Sequence, residues 1–278
     1  MKLPFVKLEG LGNCYIFVEA QKLKNVSLPK LARAVSNVST GIGSDGLIAV
    51  NTSREPHYMR IFNKDGSEAE MCGNGVRQAA LFVRKMTKTS KKHLRIATCA
   101  GEYAAEIKTI KDNKAIIKTS MGTPDFSAKA SGVKIADKLA FDVKFPVDDI
   151  MIFMADCVNM GNPHAVIWVN NFDFDWETAG MKLSSHRMFA DGANIHFCRI
   201  VNSRRFEMKI YERGSGVTMA CGSGAASCFA AGVIKSRLAK SATAEMPGGK
   251  LKLSWDISEN TIYQEGPVSI VCRGEYFS

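Results

Sequence analysis

The chain repeats itself at about half its length. Gly12-Asn13 opens the segment GNCYIFV, and Gly161-Asn162 opens GNPHAVIWV 149 residues later; Cys72 in MCGNGVRQAALFV and Cys221 in ACGSGAASCFAAGVI keep the same separation. Asn63 and Glu212, each nine residues ahead of its cysteine, are again 149 apart, while Gly66-Ser67 pairs with Gly214-Ser215, and Gly101 with Gly249, at 148. Single glycine-containing matches arise by chance, but a series in one order at one offset does not. A repeat this long is a duplicated domain, since solenoid units run to only about 20–50 residues.

At 278 residues there is room for two such domains, each with its own core. A hydrophobic content of 46% with 23% charged residues, and a mean hydropathy of -0.07, is globular composition and excludes a disordered chain. No apolar run approaches the roughly 18 residues of a membrane-spanning helix, so no membrane partner is expected. The opening MKLPFVKLEGLGN carries charge and a proline where a signal peptide needs an apolar stretch, and the expected location is the cytoplasm. Eight cysteines in a reducing compartment are then not disulfide staples. They are buried apolar residues, metal ligands or reactive thiols.

Within each copy, period-two or continuously apolar runs (FVKLEG, CYIFVEA, GLIAV and YMRIF in the first) predict strands. One helix follows each repeated cysteine: Val76, Ala79, Ala80 and Val83 fall at helical spacing after Cys72, and Ala225, Cys228, Phe229 and Val233 do so after Cys221. Strand patterns return beyond each helix (LRIATCAGEYAAEIKTI; GGKLKLSWDI). The expected fold is α+β, two pseudo-symmetric lobes from an internal duplication, each wrapping strands around a central helix. Residues 1–123 form the first lobe and 124–267 the second, with Pro124 to Pro146 carrying the chain between them.

In both copies the cysteine precedes Gly-X-Gly and a helix, beside unsatisfied backbone N–H groups at the positive end of the helix dipole. That setting favours thiolate, which for a free thiol of pKa about 8.5 is otherwise a minor species at neutral pH. Gly73, Gly75, Gly222 and Gly224 expose N–H groups able to hold a carboxylate. A lone cysteine at a helix start is usually packing; two at equivalent positions of a duplication are not so easily dismissed. Pseudo-twofold lobes would bring both turns to one cleft. One thiolate could then remove an α-proton while the other thiol delivers a proton to the opposite face, which is two-base racemisation or epimerisation and needs neither metal nor pyridoxal. No C-x-x-C is present, and Cys221 to Cys228 does not match a zinc knuckle, so no metal and no cofactor are expected. The G-x-G-x-x-G from Gly41 to Gly46 precedes a strand instead of following one, contrary to a dinucleotide site.

Motifs along nearly the whole chain carry a more specific likeness: GLGN, GIGSDG, FNKDGSEAEMCGNGVR, GNPHAV, GANIHF, ERGSGVTMACGSGA and the closing GPVSIVCRGE. With them the sequence resembles the diaminopimelate epimerases, cofactor-independent two-cysteine isomerases of lysine and peptidoglycan biosynthesis. The resemblance implies two lobes of like fold, each a curved and mostly antiparallel sheet around its helix, with the active site in the cleft between them. It also implies a homodimer, a small amino-acid substrate, and a last strand, residues 268–278, that rejoins the first lobe. Cys72 and Cys221 would be the acid–base pair, Cys72 attacking the L,L substrate, with the backbone of Gly73, Asn74, Gly222 and Ser223 around the reacting carboxylate. Asn13, Asn63, Asn162, Asn194, Glu212 and Arg213 match the family's substrate-recognition positions, and His164 its histidine near a catalytic thiol. Their chemistry fits: Arg213 can meet a carboxylate bidentately, Glu212 can accept from an ammonium, and asparagines both donate and accept. His57, His93, His186 and His196 match nothing of this kind.

The chain departs from the family pattern at Cys14, where aspartate is usual, at Gly46, at Gln78, where cysteine is common, and at Val217, the usual glutamate of ERGxGE. A proline racemase-like enzyme is the nearest rival, although Asn74 stands where those enzymes usually carry histidine. A net charge of +10 raises nucleic acid as a second rival, but the acid-free stretch from Met71 to Gly101 has no aromatic after Val83 on which bases could stack. No nucleic-acid partner is expected. Lys85, Lys88, Lys235, Arg237 and Lys240 are instead read as closing two helices, where cations complement the dipole, and the six cysteines other than Cys72 and Cys221 as small buried residues.

Overall fold

The computed structural model describes residues 2–23, 25–147 and 151–277, and the chain forms two compact units, Met1–Ser120 with Glu265–Ser278, and Met121–Gln264. These boundaries fall three residues ahead of those read from the sequence.

In the first unit β1 (Lys2–Gly10) and β2 (Asn13–Glu19) are an antiparallel hairpin, and α1 (Leu28–Ser36) leads to β3 (Gly46–Val50), parallel to β2 with Tyr15 opposite Gly46. β4 (His57–Asn63) and the short β5 (Glu68–Ala69) return antiparallel. α2 (Gly73–Thr87) then reaches β6 (His93–Thr98), parallel to β4, and β7 (Gly101–Lys111) and β8 (Lys114–Gly122) continue antiparallel. The second unit repeats the plan. After α3 (Ala128–Ser131) and β9 (Val143–Pro146) come the hairpin β10 (Ile152–Asn159) and β11 (Pro163–Trp168), then α4 (Trp176–Ser184) and β12 (Asn194–Asn202), parallel to β11. β13 (Arg205–Glu212) and β14 (Gly216–Val217) return, and α5 (Gly222–Ile234) reaches β15 (Ser241–Met246), parallel to β13 and antiparallel to β16 (Gly249–Asp256). The final strand β17 (Thr261–Phe277) pairs with β1 and with β8, closing the first unit's sheet into a barrel.

Repeated glycines take repeated conformations. Gly12 and Gly161 have φ of 81° and 92°, Gly66 and Gly214 of 85° and 78°, and Gly101 and Gly249 of 137° and 135°. These left-handed values are strained for any residue with a Cβ, which is why the repeat survives at its glycines.

α2 is buried continuously from Gly73 to Val83, and its Val76, Ala79, Ala80 and Val83 pack among Val6, Phe17, Ile48, Ile61, Ile96 and Ile117. α5 is likewise buried from Gly222 to Gly232. A helix buried all round must be short of charge, and α5 obeys; α2 carries Arg77 and Gln78, both at 0% exposure. Three further helices, α1, the four-residue α3 and α4, were not expected. α1 places Leu31, Ala32 and Val35 against Leu3, Ile16, Leu47 and Phe62, and α4 places Ala179 and Leu183 against Ala165, Ile195 and Phe197. The segment from Pro124 to Pro146 is not a connector: Ala128, Val133, Ala140 and Phe145 belong to the second unit's core.

Two other expectations change. Among the six remaining cysteines, Cys157, Cys198 and Cys228 are buried and Cys14 is half-buried, but Cys99 and Cys272 are exposed, so burial does not account for all. The cations after α5 do not simply face its last carbonyls: Lys235 Nζ pairs with Asp142 Oδ1 at 2.6 Å and with Asp156 Oδ1 at 2.8 Å, and Arg237 lies over the Trp168 ring at 5.0 Å. A buried carboxylate and an indole face bind a cation more strongly than a screened helix end does.

Candidate active site

In the first unit Cys72 is the N-cap of α2, with extended backbone, and its Sγ accepts the Gly75 N–H at 3.3 Å. Asn13 at the start of β2 lies beside it, Oδ1 at 3.8 Å from Sγ, and is held by its Nδ2 donating to Asp45 Oδ2 at 2.8 Å. Asp45 also accepts the Cys14 N–H at 2.7 Å, so the aspartate of GIGSDG fixes the GLGN turn, a role the motif alone did not reveal. Asn63 ends β4 and donates to Ser67 Oγ at 3.0 Å. Asn74, directly after Gly73 in the first turn of α2, accepts from the Arg77 guanidinium on its Oδ1 at 2.5 Å. Arg77 has no hydrogen-bond partner for Nε or Nη1 among the described residues. Burial pushes it down to about 10, and the charge of Cys72 favours its protonated form.

In the second unit Cys221 caps α5, its Sγ 3.6 Å from Ser223 Oγ. Burial pushes this thiol well above its ordinary value, the Glu212 carboxylate adds to the rise by charge and hydrogen bond, and Ser223 and the Gly224 N–H oppose it weakly. The expected thiolate-favouring turn is therefore overridden here, because removing an anion from water outweighs a helix end. Cys221 stands as a protonated thiol, a donor. Glu212 ends β13 and accepts from the Thr218 hydroxyl at 2.6 Å. Arg213 next to it donates its N–H to Asn194 Oδ1 at 3.0 Å and its Nη1 to Asp191, and Asn194 Nδ2 donates to the Pro163 carbonyl at 3.0 Å. Asn162 Oδ1 sits 2.7 Å from His164 Nε2. These neighbours join the start of β11, the start of β12 and the end of β13 into one polar rim around Cys221.

His196, set aside on sequence, belongs to this cluster. Its Nε2 lies 2.9 Å from His164 Nδ1, and donor atoms of His164, His196 and Cys221 fall within 4.8 Å of one another. The signal was its position two residues after Asn194 on the same strand, hence on the same face of β12. Gln264 was also missed: it is fully buried against Gly222, with neither amide atom paired among the described residues.

The diaminopimelate epimerase family profile matches residues 5–127 and 156–271. This chain belongs to the diaminopimelate epimerase family. It is 36% identical over 280 residues to the diaminopimelate epimerase of Halothermothrix orenii, covering 99% of this chain and 98% of that one. It is 38% identical over 277 residues to that of Acetivibrio thermocellus, with 98% of each covered. Solved structures share the fold at much lower identity: a phenazine biosynthesis protein of the PhzF family from Bacillus anthracis (TM-score 0.70, 17% identity, all of both chains) and a probable proline racemase from Agrobacterium radiobacter (TM-score 0.71, 13% identity, 99% of this chain and 92% of that one).

Each departure from the epimerase pattern has a place in the structure. Gln78 Nε2 donates to the Asn13 carbonyl at 2.9 Å, bracing the turn beside Cys72. A Cβ on Gly46 would lie 2.0 Å from the Phe62 carbonyl oxygen, so no side chain fits there without backbone movement. The Cys14 thiol is pushed up by burial and then by the Asp45 charge, which lowers its thiolate fraction. Val217 is exposed on β14, and Thr218, not residue 217, holds Glu212.

Proposed function

We propose that the chain epimerises L,L-diaminopimelate to meso-diaminopimelate without pyridoxal, in the pathway that supplies lysine and peptidoglycan, acting in the cytoplasm as a homodimer. The observation that supports it is that each duplicated unit caps its buried helix with a cysteine, Cys72 and Cys221, inside a full-length family match. Cys72 takes the α-proton of the L,L substrate as thiolate, and Cys221, held as a thiol, gives a proton to the other face. In the reverse direction the roles exchange. The N–H groups of Gly73, Asn74, Gly222 and Ser223 hold the reacting carboxylate and spread the charge that develops on deprotonation. Arg213 meets the distal carboxylate, Glu212 an ammonium, and Asn13, Asn63, Asn162 and Asn194 complete the polar contacts. His164, kept neutral by burial, is a polar neighbour of Cys221 and not a proton carrier.

Purified enzyme in deuterated water tests the reading. Solvent deuterium enters the α-position of L,L-diaminopimelate and not of proline, glutamate or histidine; exchange confined to the latter three sinks the assignment. Cys72→Ser and Cys221→Ser each lower turnover by about 100-fold or more, the usual contribution of a positioned acid or base.

A further inference from the structure

The cluster behind Cys221 has more donor chemistry than an acid–base thiol requires. His164 on β11 and His196 on β12 are both at 0% exposure, and Cys221, at 5%, is the least buried of the three. Asn162 Oδ1 can only accept, so His164 Nε2 carries the proton and His164 Nδ1 is a lone pair, which takes the Nε2–H of His196 at 2.9 Å. That leaves His196 Nδ1 as a bare lone pair, buried and without a partner among the described residues. An orphaned buried acceptor on a ring already paired with a second imidazole is costly for a purely structural pair.

We propose that His164, His196 and Cys221 form a site for a borderline transition-metal cation, Zn2+ or Co2+, that blocks Cys221 reversibly. Two imidazoles and one thiolate are the ligand chemistry such ions prefer. Their donor atoms already lie within 4.8 Å of one another, and a tetrahedral ion with bonds of about 2.0–2.3 Å needs spacings of about 3.3–3.7 Å, within reach of side-chain rotation. The Asn162 carbonyl on His164 is the outer partner that orients a ligating imidazole. Burial keeps both imidazoles neutral, so they compete for no proton. On binding, two nitrogen lone pairs and the sulfur form metal bonds, the S–H bond breaks, and one proton leaves to solvent. Where His196 binds through Nε2, its own proton moves to Nδ1, and nothing is oxidised or reduced. Glu212 is hydrogen-bonded to the thiol, a contact the sulfur gives up when it binds the ion. That the bound ion inhibits rests on the proposed role of Cys221; the site itself does not.

The test titrates reduced, metal-free wild-type protein with Co2+, following thiolate-to-cobalt charge transfer in the near ultraviolet and the visible bands of four-coordinate Co2+. One equivalent saturates both signals and Zn2+ displaces it. Cys221→Ser abolishes the charge transfer, and His196→Asn weakens binding at least about tenfold, with circular dichroism establishing that each variant is folded; His164→Gln gives the same comparison should His196→Asn not fold. No charge transfer in wild type, charge transfer that survives Cys221→Ser, or unchanged affinity in the histidine variants overturns the site. The optical signal needs no turnover. Metal binding without any exchange of L,L-diaminopimelate therefore refutes the proposed activity and leaves the site standing.

Discussion

A Cβ on Gly224 would lie 2.3 Å from Cε1 of His196, so the second glycine of the ACGSG turn is dictated by the ring beneath it. Gly224→Ala should destabilise the chain by about 1–3 kcal/mol, the range of overpacking a rigid core. His196→Ala in the same chain should return much of that loss. A double-mutant cycle by urea unfolding measures it, and additive effects would show that the ring is not the obstacle.

Stability should fall in mild acid. His196 is pushed down to about 3 and His164 well below 6.5, both chiefly by burial. Between those values and 6.5 the unfolded chain binds protons that the folded chain refuses, so stability present above pH 6.5 is lost as pH falls. The slope is about 1.4 kcal/mol per pH unit for each histidine. His196→Asn should lose less stability than wild type between pH 7 and 5, by about 2 kcal/mol in urea titrations.

Asp156 is 1% exposed and takes Lys235 Nζ at 2.8 Å on one oxygen and the Trp168 indole N–H at 2.8 Å on the other. Lys235→Met strands that carboxylate and should cost about 3 kcal/mol. A loss below 1 kcal/mol in the same unfolding assay would mean that the exposed Asp142 side of the bridge is all that Lys235 serves.

Arg77 is a buried guanidinium whose favourable charge partner is Cys72. Arg77→Met removes the charge with little change in volume, and the iodoacetamide reactivity of Cys72, followed by peptide mass spectrometry, should shift to higher pH by about one unit. Stability should change by less than about 1 kcal/mol, since an unmatched buried charge is itself unfavourable. An unmoved alkylation profile would show that the helix terminus alone sets this thiol.

The parts of the fold that a sequence can carry are those written in local pattern. The two central helices announce themselves by apolar spacing after Cys72 and Cys221, and the strands before and after them by alternation. α1 carried the same kind of signal, with Ser27 before it, Pro29 in its first turn, and Leu28, Leu31, Ala32 and Val35 on one face. It was obscured by the short apolar runs on either side. α4 has a weaker stripe and an Asp175 cap that accepts from the Thr178 N–H at 3.0 Å. Of the site, the cysteines, glycines and asparagines were legible as motifs. Asp45, His196 and Gln264 were not, because each acts through a partner distant in sequence.

Sequence alone determined the duplication, the two cysteine-capped helices and the family, since each is a matter of residue order, and order survives without coordinates. Tertiary structure decided what state those residues are in. Burial overturned the helix-end expectation at Cys221, placed His196 against His164 and put Lys235 on Asp156. The cost of removing a charge from water depends on everything packed around it, and no local stretch of the chain encodes that.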